Sequence, residues 1–69
     1  MVKYQAKILG FVAKDAPWVL RHEFRLKAIS DTQAIERCKA IAERIGKENG
    51  LMTEIQFIKK FGSGSRIYP

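Results

Sequence analysis

The chain has 69 residues, 46% of them hydrophobic, and its 13 lysines and arginines stand against seven acidic residues, for a formal net charge of +6. This balance describes a small basic globular protein, because the hydrophobic fraction is too high and the charge too modest for a disordered chain. A folded chain of this length hides only about 60% of its surface, which excludes a second domain and disfavours a large enclosed active site.

The first predicted element is a strand over residues 2–13. Its apolar residues alternate with polar ones, which is the pattern of a strand with one buried and one exposed side. The alternation slips at Gly10, and a glycine inside a strand often marks a bulge or a bend. Before that point Val2, Tyr4, Ala6 and Ile8 form the inward phase, and Lys3, Gln5 and Lys7 form the outward phase.

A second strand is predicted over residues 18–28, after a turn that contains Pro17. The alternation is clearer here and indicates one side facing a core and one facing water. Two strands joined by a short turn are most simply an antiparallel hairpin. The inward phase comprises Trp18, Leu20, His22, Phe24, Leu26 and Ala28, and the outward phase comprises Val19, Arg21, Glu23, Arg25 and Lys27.

An amphipathic helix is predicted next. Ser30 stands three residues before Gln33, the capping-box spacing in which side chains satisfy the free amides of a helix start. Gly46 or Gly50 ends the helix, and Gly50 is the stronger candidate because it follows Asn49 and both residues tolerate a positive φ. Apolar residues recur at steps of three and four, giving one stripe of Ala34, Ile35, Cys38, Ile41, Ala42 and Ile45.

A third strand is predicted over residues 51–61, and residues 62–69 are predicted to form a flexible C-terminal tail rich in glycine and serine. Residues 1–61 then form a single ββαβ domain of the α+β class. Its three-stranded antiparallel sheet has the order 2-1-3, and the helix packs on one face. In the third strand Leu51, Thr53, Ile55 and Phe57 are assigned inward, and Met52, Glu54, Gln56, Ile58 and Lys60 outward.

The sheet face that the helix leaves open is predicted to carry the excess charge. Six cationic and two acidic side chains give this face +4, whereas residues 30–48 sum to zero. A concentrated basic surface is typical of proteins that bind phosphate backbones or acidic proteins, although a solvated sheet face also needs charge for solubility. The predicted residues for nucleic-acid or partner binding are Lys3, Lys7, Arg21, Arg25, Lys27 and Lys60.

The aromatic residues bear on how a nucleic acid would be recognised. Sheet proteins that read RNA place aromatic rings on the exposed face, where bases stack on them. Here Tyr4, Trp18, Phe24 and Phe57 all lie in inward phases, so we expect them in the core. Binding is therefore predicted to act through backbone charge, with weak sequence preference and without base stacking.

No catalytic residue, metal site or cofactor is predicted, so we expect a protein that is not an enzyme. His22 lies in an inward phase, where a partly buried core histidine is the ordinary interpretation. A single-histidine ribonuclease is a minor alternative, since imidazole transfers protons near neutral pH. Small toxin ribonucleases with a lone strand histidine carry a Gly-Ser-His motif and a leading helix, whereas this chain begins with a strand and has Leu20 and Arg21 before His22. Cys38 is expected to act as a small hydrophobe, since one cysteine and one histidine do not make a zinc site.

The tail offers a second, smaller partner contact through Arg66, Ile67 and Tyr68, with disorder as the alternative. The edge strands could also pair with a second copy, so a homodimer stays open as a further expectation.

The longest uncharged apolar run, residues 8–13, is far shorter than the roughly 20 residues that a spanning helix needs, and no membrane partner is expected. The chain shows no secretory signal and has one cysteine, so a cytoplasmic location is expected.

In its order of elements this basic module resembles some small ribosomal proteins and some phage-encoded inhibitors of bacterial defence, including certain anti-CRISPR proteins. The resemblance covers the element order and carries no motif. Two functions follow as expectations, and both act by binding. The first is a binding module whose basic sheet face contacts nucleic acid or a ribonucleoprotein complex. The alternative is a phage-encoded protein inhibitor or adaptor that binds a larger nucleic-acid-handling complex through an acidic or nucleic-acid-binding surface.

Overall fold

One α-helix packs on one face of a four-stranded antiparallel sheet in the computed structural model, which describes residues 1–68. The strand order is 2-1-3-4, so the predicted α+β class and the order 2-1-3 are confirmed, whereas the predicted number of strands is one too low. Pro69, the last residue of the predicted tail, lies outside the described residues. The elements are β1 (Val2–Phe11), β2 (Trp18–Ala28), α1 (Asp31–Asn49), β3 (Met52–Lys60) and β4 (Arg66–Tyr68).

The β1–β2 hairpin forms as the alternating pattern predicts. The strands pair antiparallel, with Tyr4 opposite Leu26 and Ala6 opposite Phe24. Residues directly opposite each other in an antiparallel pair lie on the same face. These four residues therefore face the helix together. The turn between the strands places Asp15 at a φ of 68°, which its short polar side chain tolerates.

Both ends of α1 have the predicted caps. The Ser30 hydroxyl accepts a hydrogen bond from the backbone amide of Gln33 at 3.2 Å, and the Gln33 side chain accepts one from the amide of Ile29 at 2.9 Å. At the other end the helix stops at Gly50, whose φ of 63° lies in the left-handed region that glycine adopts without strain. Gly46 lies inside the helix and does not end it.

The core lies between α1 and the central strands. The Tyr4 hydroxyl donates to the Asp31 carboxylate at 2.7 Å, and this hydrogen bond, together with burial, raises the pKa of Tyr4. Burial raises the pKa of the Cys38 thiol to about 11, because the surroundings disfavour a charged thiolate. Alanines occupy several of the buried positions between the helix and the sheet. The buried cluster comprises Tyr4, Ala6, Ala28, Ala34, Cys38 and Ile58.

A bulge in the β1–β3 ladder reverses the phase of the second half of β3. Lys7 lies opposite Phe57, but the next residue of β1 lies opposite Ile55, so β3 contains one additional residue at this point. The predicted facing is therefore wrong beyond the bulge. Phe57, assigned inward, faces away from the helix, whereas Ile58 and Lys60, assigned outward, face it.

A second irregularity, at the end of the hairpin, places Trp18 on the side of the sheet away from the helix. The register shifts after Gly10, so that Phe11 lies opposite Trp18 and β2 contains the additional residue. The Arg21 guanidinium carbon lies 5.9 Å from the centre of the Trp18 ring. The expectation that Trp18 belongs to the core is wrong, because it assumed an unbroken alternation through this point.

Strand β4 lies within the segment predicted as a tail. The chain turns after β3 with positive φ at Gly62 and Gly64, and the Lys60 amide donates to the Ser65 carbonyl at 2.9 Å. Tyr68 then lies opposite Ile58, so the sheet extends beyond residue 61. Within residues 1–68 the single helix lacks the apolar length needed to cross a membrane.

Candidate functional site

The sheet face opposite α1, called the open face below, carries most of the excess charge. Tyr4 faces the helix, so its neighbours in β1 face the other way. Cross-strand pairing extends this face, with Lys3 opposite Lys27 and Lys59 opposite Arg66. Seven cationic side chains against two carboxylates leave a formal charge of +5, out of +6 for the chain. They are Lys3, Lys7, Arg21, Arg25, Lys27, Lys59 and Arg66, with Glu23 and Glu54.

The predicted contact residues fall on this face with one exception. Lys60 lies on the helix side, where its ammonium nitrogen is 3.8 Å from the Asp31 carboxylate oxygen that also accepts the Tyr4 hydroxyl. Its neighbour Lys59, which alternation left out, takes its place on the open face. The other five residues, Lys3, Lys7, Arg21, Arg25 and Lys27, share the open face.

Three cations surround the ring of Phe57. The side-chain nitrogens of Lys7 and Lys59 lie 5.9 and 5.1 Å from the ring centre, and the Arg66 guanidinium carbon lies 5.4 Å away. Only 9% of Phe57 is exposed, although it lies on the open face. Attraction between the cations and the ring holds three positive charges in one place. Such a cluster attracts an anion with several oxygens, such as a phosphate group.

A second aromatic ring, Phe61, lies beyond the end of β3. The Arg25 guanidinium carbon is 4.4 Å from its centre, and 45% of the residue is exposed. The Phe61 amide donates to the Lys3 carbonyl at 2.9 Å, which continues the ladder between β1 and β3. An open cavity of about 210 Å³ lies beside this pair, lined by Lys3, Arg25, Leu26, Lys27 and Phe61.

The open face therefore has two ends. The basic end is defined by the cations Lys3, Lys7, Arg25, Lys27, Lys59 and Arg66. The apolar end is defined by Leu9, Phe11, Trp18 and Met52, of which Trp18 is 52% and Met52 53% exposed. At the border of the apolar end, Arg21 and Glu54 lie on either side of Leu9, and their opposite charges leave this row without net charge.

Most of the acidic charge lies away from the basic end. Glu54 belongs to the boundary with the apolar end, and Asp31 is on the helix side. Glu23 is the exception, and its carboxylate accepts a hydrogen bond from Gln5 at 3.0 Å. The helix pairs its own charges along its exposed side, with Glu43 beside Lys47 at 3.4 Å. The positive potential is therefore concentrated at the basic end.

His22 lies on the helix side but is exposed, which contradicts the expectation of a partly buried core residue. Its ring stacks on Phe24, with the ring centres 4.9 Å apart, and it borders a cleft shared with Ile41 and Arg44 of α1. Within residues 1–68, no group of three or more histidine, cysteine or acidic side chains is placed to hold a metal ion. His22 and the basic end lie on opposite faces of the sheet, so His22 does not contribute to the basic end.

The predicted tail contact divides between two surfaces. Arg66 joins the cations around Phe57. Ile67 and Tyr68 are half-buried and pack against the core cluster, so they are not held free on a tether.

At the other edge of the sheet, the Lys27 carbonyl of β2 accepts a hydrogen bond from Arg37 at 2.6 Å. The homodimer through the edge strands stays a prediction.

Comparison with known proteins finds no matching family model, no matching curated protein and no matching solved structure.

Proposed function

We propose that this chain is a small non-enzymatic binding module whose basic end contacts the phosphate backbone of a nucleic acid, either free or within a ribonucleoprotein complex. The observation that carries the proposal is the gathering of six cations from all four strands at one end of the open face. The exposed side of the helix lacks this property, because its cations are balanced by glutamates. Positive charge on one side orients the protein toward a polyanion.

The dimensions of the basic end suit a run of phosphates. Four strands spaced about 4.8 Å apart span about 14 Å, and the cations of β1 lie on successive outward positions. A duplex carries one negative charge per about 1.7 Å of its axis, so several phosphates lie within reach. With about four phosphates neutralised, the logarithm of the association constant should fall with the logarithm of salt concentration with a slope of about −3 for a single strand.

A matched pair of double variants tests the proposal. Lys3→Glu/Lys59→Glu reverses two charges at the basic end, and Lys14→Glu/Lys39→Glu reverses two exposed charges elsewhere with the same change in net charge. Affinity for a fluorescent RNA of about 12 nucleotides is measured by polarisation at about 50 and 200 mM salt. The first variant should lose at least about tenfold in affinity, whereas the second should lose less than about threefold. Equal losses of affinity in the two variants would contradict the proposal. Wild-type affinity that is the same at both salt concentrations would also contradict it.

A second candidate function is a protein inhibitor or adaptor that binds a nucleic-acid-handling complex. The apolar end favours it, because exposed Trp18 and Met52 lie on the same face as the cations. Large apolar side chains exposed together often mark protein contacts, and tryptophan is prominent in binding hot spots. This candidate predicts capture of a partner from lysate that survives nuclease and is lost in Trp18→Ala. Loss of every partner after nuclease treatment would exclude it.

A further inference from the structure

We propose that the cavity beside Phe61 and Arg25 holds an unpaired nucleobase, so that the basic end selects single-stranded nucleic acid. The inference rests on the proposed function, because the phosphates of the strand bring the base to this position. It also reverses the expectation from the sequence that base stacking plays no part. That expectation considered Tyr4, Trp18, Phe24 and Phe57, and Phe61 was not among them.

The two aromatic rings of the basic end differ in their accessibility. Phe57 is covered by three cations, which leave no room for a base. Phe61 is nearly half exposed and contacts one guanidinium. A base can therefore stack on the Phe61–Arg25 pair, but not on Phe57. Phenylalanine rings and arginine guanidinium planes are both surfaces on which proteins stack unpaired bases.

The backbone of Phe61 is held in position before any ligand arrives. The hydrogen bond from its amide to the Lys3 carbonyl fixes it at the end of the ladder. The chain then turns away through Gly62, whose φ of 98° favours glycine. The backbone at Phe61 therefore needs no further ordering on binding, which lowers the entropic cost of the contact.

Lysines flank the cavity where phosphates on either side of a stacked base would lie. Lys3 and Lys27 are opposite each other on β1 and β2, and both line the cavity. An ammonium group contacts a phosphate as a point charge and does not depend on the base. The site thus combines stacking, which every base can provide, with backbone contacts. A duplex cannot use the cavity, because its bases are stacked on one another.

The test compares Phe61→Leu with Phe61→Tyr. Leucine keeps an apolar side chain without a π face, whereas tyrosine keeps the ring. The probes are a single-stranded RNA of about 12 nucleotides, the same strand in a duplex, and a strand of equal length in which abasic sites replace the bases. Phe61→Leu should weaken binding of the base-bearing single strand by at least about fivefold, and should leave duplex and abasic affinity unchanged. Phe61→Tyr should bind like the wild type.

Trp18→Leu is the matched control, because it removes an exposed ring from the apolar end of the same face. It should leave the affinity for all three probes unchanged. The far-ultraviolet circular dichroism spectrum of each variant should match that of the wild type, which shows that the variant is folded. The fluorescence of 2-aminopurine in the single strand should be quenched by the wild type and not by Phe61→Leu.

The outcomes separate this inference from the proposed function. If the wild type binds the base-bearing and abasic strands equally, or Phe61→Leu binds like the wild type, the base site is overturned. Salt-dependent binding would then still support contact between the basic end and the phosphate backbone of the nucleic acid. If the wild type binds none of the three probes at about 50 mM salt, the proposed function fails, and the base site fails with it.

Discussion

The two ends of the open face share β1, β2 and β3 but offer different chemistry. β1 supplies Lys3 and Lys7 to the basic end, and two residues further along it supplies Leu9 and then Phe11 to the apolar end. Alternation decides which face a side chain occupies, but the position along the strand decides which partner it meets. A small sheet can therefore present an electrostatic surface and an apolar surface side by side.

Aromatic rings occur at both ends and have different roles. At the basic end, the ring of Phe57 is nearly buried and holds cations in place. At the apolar end, the ring of Trp18 is half exposed, with one guanidinium at 5.9 Å. The first ring therefore contributes more to stability, whereas the second is available to a partner.

The largest expected effect comes from removing each ring in turn. Phe57→Ala should lower the free energy of unfolding by about 3 kcal/mol, since a large ring is lost from a closely packed position. Trp18→Ala should lower it by less than about 1 kcal/mol, because much of the side chain already contacts solvent. Urea unfolding followed by circular dichroism measures both. Similar losses for the two variants would show that the ends do not differ in packing.

A smaller effect should separate two neighbouring lysines. Lys59→Gln removes a cation from the basic end and should make the slope of log affinity against log salt shallower by about one. Lys60→Gln removes a cation from the helix side, where it lies near Asp31, and should leave the slope unchanged. Polarisation titrations over a range of salt concentrations measure the slopes. Equal changes for the two lysines would contradict the reversed phase of β3.

A separate effect concerns pH and the core between α1 and the sheet. The pKa of Cys38 is raised from 9.0 to about 11, so its contribution to stability is complete below pH 9 and is lost as the pH rises toward 11. The pKa of Tyr4 is raised by its hydrogen bond to Asp31 and by burial, so its ionisation in the unfolded chain adds to the loss of stability above pH 10. Urea midpoints should therefore fall between pH 9 and 11, and fall less steeply in Cys38→Ala.

The pH prediction also separates stability from binding. Between pH 7 and 9, nucleic-acid affinity should stay constant, since the Cys38 thiol belongs to the core cluster on the helix side of the sheet and not to the open face. An identical decline in stability for the wild type and Cys38→Ala would show that the thiol does not cause it. A fall in affinity below pH 9 would indicate that binding depends on a group outside the basic end.

The hairpin and the helix could be predicted from the sequence because local rules decide them. Alternation over many residues specifies which side of a strand is buried, and the Ser30 and Gly50 caps bound the helix by their own hydrogen bonds and backbone conformation. Most of the basic end follows from this pattern. The phase of the alternation alone places Lys3, Lys7, Arg25 and Lys27 on the open face.

The remaining features depend on irregularities that alternation does not reveal. Phe57 and Ile58 are adjacent and both apolar, so either can face the helix, and only the pairing with β1 decides between them. That choice moved Lys59 onto the open face and Lys60 off it. β4 was missed because three residues are too few to show a period, and its preceding turn has the composition of a linker. Phe61 and Arg25 lie far apart in the sequence, so residue spacing does not predict their contact.

The most direct test of the central claim is a residue-by-residue map of binding by amide chemical shifts in NMR. The protein is titrated with a single-stranded RNA of about 12 nucleotides at about 50 mM salt, and the titration is repeated at about 300 mM. The largest shifts should fall on the basic end, around Lys3, Arg25 and Lys59, and should shrink strongly at the higher salt. Largest shifts on α1 or at the apolar end, or shifts equal at both salt concentrations, would contradict the account.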